Sequence, residues 1–370
     1  MDANTTIPKL ALALIPGIGA NIARALMSRC ATAADIFKLK RPELLSIQGI
    51  GTLLADRLLN ADTFRRAEEE ICYLEKENLS CHFLFDADYP PLLAQCPDAP
   101  IVFFRRGQLP EPGARMLSIV GTRNPSTRGK EITREIIRGL ADKGHKVVIT
   151  SGLAYGIDIQ AHLAALEVGF QTIAVLGHGF HTLYPAVHKQ TAGRILEQGG
   201  LFSDFFSHNT PDPKNFIRRN RIIAGLSEAT LVIESGIKGG ALATAEMANS
   251  YDRDVMVIPG RPDDLMSKGC NYLIKANRGS LVESAEDIEY LLGWAQGPAR
   301  LSYPEPMLFQ QLDPEELTIF GLLSGPPLTV DQICRLAELP VQRISYLLLT
   351  LEFKGLIRAA PGKLYQSCQL

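Results

Sequence analysis

Leu117–Arg128 reads LSIVGTRNPSTR. Its apolar β-formers Leu117, Ile119 and Val120 meet Gly121 and then a polar turn that carries Thr122 and Arg123. Ile132, Ile136, Ile137 and Leu140 follow at three- and four-residue spacing, the period of a helix, and Gly144 ends the run. A strand that feeds a glycine turn and then a helix is how open α/β sheets present a phosphate site. The helix N-terminus offers unpaired N–H groups and a partial positive charge, and Arg123 adds a planar guanidinium at that mouth. The same stretch also reads as an ordinary strand–turn–helix corner with a solvated arginine, so the surrounding chain has to decide.

Outward from this stretch, strands and helices alternate from about residue 115 to 295. Val147–Ile149 leads into Ser151-Gly152 and a helix from about Ile157 to Val168. Thr172–Leu176 leads into Gly177-His178-Gly179, and Leu201-Phe202 is a shorter strand. Leu231–Ile233 leads into Glu234-Ser235-Gly236 and Gly239-Gly240, then a helix over 241–250; Val255–Ile258 ends at Pro259-Gly260. Strands that end in Gly/Ser turns before helices predict a doubly wound, mostly parallel sheet with its ligand in the crevice at the strands' carboxyl ends. No G-x-G-x-x-G follows the first strand, and no acidic residue ends the second, so this is not a dinucleotide site. The phosphate-loop pattern of ATPases is also missing.

Two further stretches carry chemistry. Lys214-Asn215-Phe216-Ile217-Arg218-Arg219-Asn220-Arg221 sets four cations and an aromatic before a helix expected over 222–226. Cations that neutralise phosphates, with an aromatic that stacks a base, suit single-stranded nucleic acid. Lys238-Gly239-Gly240, ahead of the helix that holds Thr244, offers an N–H nest for an anion. His178, His181 and His188 straddle a turn without metal-ligand spacing. Between Arg105 and Lys130 six bases face one acid, Glu111, although the whole chain carries a net charge of −2.

The ends read as separate domains. In residues 1–80, Leu14–Gly19 with Ile22, Ala23 and Leu26 recurs as Leu45–Gly51 with Leu54, Ala55 and Leu58, the two G-I-G triplets lying 32 positions apart. Each copy is a helix, a tight G-I-G hairpin and a second helix, a tandem helix-hairpin-helix (SAM-like) arrangement. Ten acids balance ten bases there, which leaves DNA contact and a scaffold role both open. Residues 81–114 are a proline-rich connector with one strand at Ile101–Phe104. Residues 296–312 read as a linker. Residues 313–370 carry three helical runs and a small β-hairpin, a winged-helix pattern. Its recognition helix offers only Gln342, Arg343 and Ser345, and five bases face six acids, which favours protein contact over groove reading.

At 370 residues the chain needs two or three domains. No apolar run approaches the roughly 18–20 residues of a membrane span, and MDANTTIPKL is not a signal peptide. Seven scattered cysteines without C-x-x-C predict reduced thiols, a cytoplasmic protein and no zinc site.

IVGTR, SGLAYGID, AVLGHGF, RRNRIIAGLS, ESGIKGGALATA and VIPG, in this order within one α/β domain, resemble the bacterial DNA-processing protein A family (DprA, also called Smf). The resemblance implies a Rossmann-like domain, here 81–295, that binds single-stranded DNA, protects it during natural transformation and helps load the RecA recombinase as a homodimer. It implies no cofactor, no metal and no catalytic residue. Carried over by motif, Arg123 with Gly121 and Thr122 would grip a phosphate. Lys189 would add charge, and Lys214 and Phe216 would contact backbone and base. Arg219, Asn220 and Arg221 would shape the pocket floor. Gly152, Lys238, Gly239 and Thr244 would complete the DNA-binding set. The chain departs from the family's pattern at His188, at Lys238–Leu242, at Ile217 and at Leu273–Arg278. Gly239-Gly240-Ala241 with Thr244-Ala245-Glu246 also resembles the signature of Rossmann-like nucleotide 5′-monophosphate phosphoribohydrolases, in which Glu246 would act on the N-glycosidic bond.

Overall fold

The computed structural model describes residues 2–60, 62–294, 312–360 and 362–368. Packing divides the chain into two units, Met1–Ile288 and Glu289–Leu370. The linker expected at 296–312 lies outside the described residues except for Leu312.

The first unit opens with six helices: α1 (Ala3–Leu14), α2 (Ala20–Met27), α3 (Ala33–Ile36), α4 (Arg41–Leu45), α5 (Thr52–Leu59) and α6 (Thr63–Lys76). Gly17 and Gly49 turn the two hairpins at φ +94° and +87°, a conformation that costs a side-chain-bearing residue energy. The repeated alanines Ala23 and Ala55 are fully buried in their helices. This bundle does not stand alone. Its core side chains, Leu10, Leu26, Leu44 and Leu74 among them, share one cluster with Phe83, Ile101, Val102 and Phe104 of the next segment.

That segment supplies β1 (Ser80–Phe83), α7 (Pro91–Gln95) and β2 (Val102–Gly107). The connector therefore holds two strands rather than one. β1 is only four residues long, too short for its alternation of Cys81 and Phe83 with Ser80 and His82 to mark a strand by itself; it forms because it pairs antiparallel with β2, Ser80 opposite Arg105, and β2 in turn pairs with the main sheet. From there the chain alternates through β3 (Arg115–Val120), α8 (Thr127–Asp142), β4 (Val147–Ser151), α9 (Ile157–Glu167), β5 (Thr172–Val175), α10 (Lys189–Gln198) and β6 (Gly200–Ser203). α11 (Pro213–Leu226), β7 (Ala229–Val232), α12 (Gly240–Ser250), β8 (Asp254–Val257), α13 (Lys268–Lys275), β9 (Ser280–Leu281) and α14 (Ala285–Leu291) complete it. Among the described residues the sheet has nine strands in the order β1-β2-β6-β5-β4-β3-β7-β8-β9. Strands β3 to β9 pair in parallel, and β2 runs antiparallel to β1 and β6.

The central strands are buried on both faces, which is why Leu117–Val120 reads as an unbroken apolar run apart from Ser118. Ser118 is accommodated because its hydroxyl donates to the Ile223 carbonyl at 2.6 Å and meets Ser227 at 2.8 Å. The chain lays strands on one side of β3 as far as β6, then crosses to the other side at β7. The switch point therefore lies between β3 and β7, at the turn of Gly121, Thr122 and Arg123.

The second unit contains α15 (Pro314–Leu322), β10 (Leu328–Thr329), α16 (Val330–Ala337), α17 (Val341–Phe353), β11 (Ile357–Ala360) and β12 (Leu364–Ser367). The strands pair in the order β10-β12-β11 beside a core of Ile319, Ile333, Ile344, Leu347 and Leu351. This is the three-helix-and-wing arrangement. On α17, Gln342 and Ser345 are exposed and Arg343 is paired with Glu315 at 2.7 Å. Among the described residues no helix is long and apolar enough to cross a membrane.

Candidate nucleic-acid interface

A cleft of about 640 Å³ opens at the switch point. The turn after β3, the turn after β7 and the start of α11 line it, a volume suited to a small ligand or one nucleotide unit.

The turn after β3 is built differently from the expectation of an open helix N-terminus. Ser126 caps α8 by accepting from Gly129 N–H at 2.9 Å. The Glu234 carboxylate, arriving from the end of β7, accepts from Ser126 N–H at 2.9 Å and from the Ser126 hydroxyl. The anion place at this helix start is thus taken by the protein's own carboxylate. Glu234 also accepts from Thr122 N–H through its backbone carbonyl at 2.7 Å, which ties the two switch-point turns together. Gly129 has no side chain because a Cβ there would lie 2.6 Å from the Glu234 carboxyl carbon. The open helix start is instead that of α12, whose N-cap is Gly239 and which no side chain caps. Gly239, Gly240 and Ala241 border the cleft there.

α11 begins at Pro213, with Asp212 accepting from Lys214 N–H at 2.8 Å, so the whole cationic block is helical rather than preceding the helix. Proline at the first helical position and an aspartate cap explain the earlier start. Helical geometry then separates the block's residues, since successive side chains turn by about 100°. Phe216, Arg219 and Asn220 line the cleft, whereas Arg221 faces the other side of α11. There it donates to the Asp98 carbonyl and pairs with the Asp204 carboxylate. The expectation that Arg221 shapes the cleft floor is corrected on this ground. Burial alone would pull its pKa down, and Asp204 and Asp98 more than offset that, leaving it raised.

The floor belongs to Arg219, which is 3% exposed. It donates to the Gly152 carbonyl at 2.7 Å and to the Val175 carbonyl. Its Nε has no hydrogen-bond partner. Burial pushes its pKa down to about 10, so it stays charged at neutral pH, and Asp158 opposes the shift. Asp158, also buried, is pushed up by burial despite Arg219 and despite accepting from Gly152 N–H at 3.1 Å. Gly152 sits behind the lining: a Cβ there would meet Arg219 at 2.5 Å and Asp158 at 2.6 Å.

The wall is aromatic. Phe216 lies 5.5 Å from the Tyr184 ring, and the Arg123 guanidinium stands 5.9 Å from the Phe216 centroid. Behind Phe216 is Gly177, where a Cβ would come within 2.6 Å of the ring. His178 holds the Tyr184 loop: Nδ1–H donates to the Gly179 carbonyl at 2.8 Å and Nε2 accepts from Tyr184 N–H at 3.1 Å. Burial lowers its pKa, in keeping with the neutral ring that this pair of bonds requires. His181 bonds the Ser207 carbonyl, and His188 donates to the Leu153 carbonyl at 2.8 Å, so all three histidines serve loop packing.

Gly121, Thr122, Arg123, Phe216, Arg219, Asn220, Gly239 and Thr244 of the predicted set come together around the cleft. Lys189, Lys214 and Lys238 are exposed and stand outside its lining. Glu246, the carboxylate to which the hydrolase resemblance points, also stands outside it and is paired with Arg278 of the turn after α13. Sequence reading missed Tyr184, Glu234, Asp158 and Gly177 as builders of the site. Glu234 and Gly177 were visible only as turn residues, and nothing local marks the side chains they oppose.

Three family models match this chain. The DNA recombination-mediator protein A model covers residues 80–293, the DprA winged helix domain 304–363 and the SAM-like helix-hairpin-helix tandem 9–64. Protein Smf of Synechocystis sp. is 32% identical over 96% of this chain and 97% of its own length. The structure of DNA processing protein A from Streptococcus pneumoniae superimposes with a TM-score of 0.62 at 30% identity, over 78% of this chain and 97% of that one. That of Helicobacter pylori DNA processing protein A, described for its single-stranded DNA binding mode, gives 0.52 at 25% identity, over 58% and 96%. With its central domain, both end domains and nearly its full length matched, the chain belongs to the DNA recombination-mediator protein A family, that of the DprA and Smf proteins.

Proposed function

We propose that this protein binds single-stranded DNA through the switch-point cleft, as a non-enzymatic recombination mediator of natural transformation. One observation carries the reading. At one mouth the cleft joins an exposed arginine without an ion pair among the described residues, Arg123, to an aromatic wall and an uncapped helix start. Arg123 and the α12 start would hold phosphate, and Phe216 with Tyr184 would stack a base of any sequence. Arg219 would supply positive potential from the floor, with its unpartnered Nε directed by the ligand's own acceptor. Lys189, Lys214 and Lys238 would act at longer range, drawing the strand toward the cleft. Family membership supports protection of incoming DNA and loading of the RecA recombinase by a homodimer in the cytoplasm. The single-stranded DNA binding described for the Helicobacter pylori relative supports the ligand.

The test is fluorescence anisotropy with a labelled single strand and its duplex over a salt series. The expected result is salt-sensitive binding that prefers the single strand. Arg123→Ala should weaken it roughly tenfold and lower the salt slope by about 1. Unchanged affinity and slope in that variant would refute the assignment of Arg123.

A further inference from the structure

Across α11 from the switch-point cleft lies a second cavity, of about 520 Å³, between the first helical hairpin and the loop that follows β6. Its chemistry is not that of a packing defect. Arg66 and Arg218 stand exposed at its rim, and the Arg218 guanidinium lies 5.2 Å from the Phe205 ring centroid. The start of α2, with Gly19 at its N-cap and no side chain capping it, opens on the same space. At the bottom is Asp204, whose side chain is 1% exposed. Its Oδ2 is held by Arg221 and by Arg218 at 3.5 Å, while its Oδ1 has no hydrogen-bond partner.

A buried carboxylate oxygen without a donor costs stability unless something supplies one. Every nucleobase presents an N–H donor on its pairing edge. Cations at the rim, an uncapped helix start, an aromatic flank and a buried acceptor are together what a nucleotide presents itself to: phosphate outside, base edge inside.

From this juxtaposition we propose that the cavity is a second nucleotide subsite on a strand whose first nucleotides fill the switch-point cleft. The strand crosses the first turns of α11, whose Lys214, Ile217 and Arg218 are exposed between the two cavities, and places a later base over Asp204. The proposal rests on the single-stranded DNA reading above. It makes the N-terminal helical hairpin part of the DNA path through its geometry, although the domain has no charge excess.

Strand length separates the two readings. The full chain is titrated with a labelled strand of roughly 4 nucleotides and with one of about 16, the range of single-strand sites. In the double variant Arg66→Ala/Arg218→Ala the long strand should bind roughly tenfold more weakly while the short strand is unaffected. A long strand that is abasic beyond its first few nucleotides should bind the unaltered protein about as weakly. Equal behaviour of both lengths in the double variant, or full affinity of the abasic strand, would overturn the subsite and leave the cleft reading intact. Failure of both lengths to bind the unaltered protein would overturn both.

Discussion

The two sides of α11 use the same short sequence block in opposite ways. Toward the cleft, Arg219 bonds only backbone carbonyls, and Arg123 stands against Phe216 with no carboxylate pair among the described residues. Toward the hairpin, Arg218 and Arg221 both meet Asp204, and Arg221 also reaches the Asp98 carbonyl. One side keeps Arg123 out of carboxylate pairs among the described residues, whereas on the other Arg221 ties the connector at Asp98 and the loop after β6 to α11 and leaves Arg218 exposed at the rim. A run of arginines in sequence is therefore not a run of equal ligands; helical phase assigns each to a face.

The largest test of this contrast is Arg219→Ala. It leaves the Asp158 charge uncompensated and the Gly152 and Val175 carbonyls unpaired in a buried site. Stability should fall by roughly 3 to 5 kcal/mol, read from urea unfolding, and single-strand binding should disappear with it. A stable variant would mean that Arg219 is not the cleft's structural floor. Next comes Gly177→Ala, which should displace Phe216 from the wall and weaken DNA binding about as much as Phe216→Ala does. Its stability cost should be about 1 to 3 kcal/mol from overpacking. Binding by Gly177→Ala equal to that of the unaltered protein would show that ring position does not matter.

The smallest effect concerns the hairpin side. Glu70 of α6 is buried and accepts from Ser207 N–H at 2.8 Å and from its hydroxyl at 2.7 Å. Burial raises its pKa, and the two bonds only partly oppose this. The folded state thus keeps the Glu70 proton to higher pH than the unfolded chain does. Its contribution is fully present below the ordinary carboxylate pKa and is lost as pH rises through the raised value. Thermal midpoints over that window should fall with pH more steeply than those of Glu70→Gln; parallel curves would remove Glu70 from the account.

Much of the fold was legible because it is written in local periodicity. The repeated G-I-G hairpins, the double-sided apolar strands and the glycine turns at their ends each express a backbone requirement within a few residues. The strand β1 was not legible, since SCHF becomes a strand only through its ladder with Val102–Arg105. α11 starts at Pro213 rather than at Ile222 because Asp212-Pro213 is a cap and first-turn pair, so the cationic block that follows is already helical. In the site, Arg123 and Phe216 could be named from their chemistry. Tyr184, brought to Phe216 by the His178 loop, could not, because their nearness depends on the loop after β5 folding against the start of α11.

By itself the sequence determined the α/β class, the crevice edge on which the glycines gather, the helical and winged end domains and the family. Those follow from side-chain period, turn chemistry and motif order, all of which act over short stretches of chain. The tertiary structure alone decided which helix start stays open, which arginine is floor and which is fastener, and that Glu234 occupies the first anion place. Those outcomes depend on distances between residues far apart in the chain. Only the assembled sheet, with α11 packed beside its switch point, sets those distances.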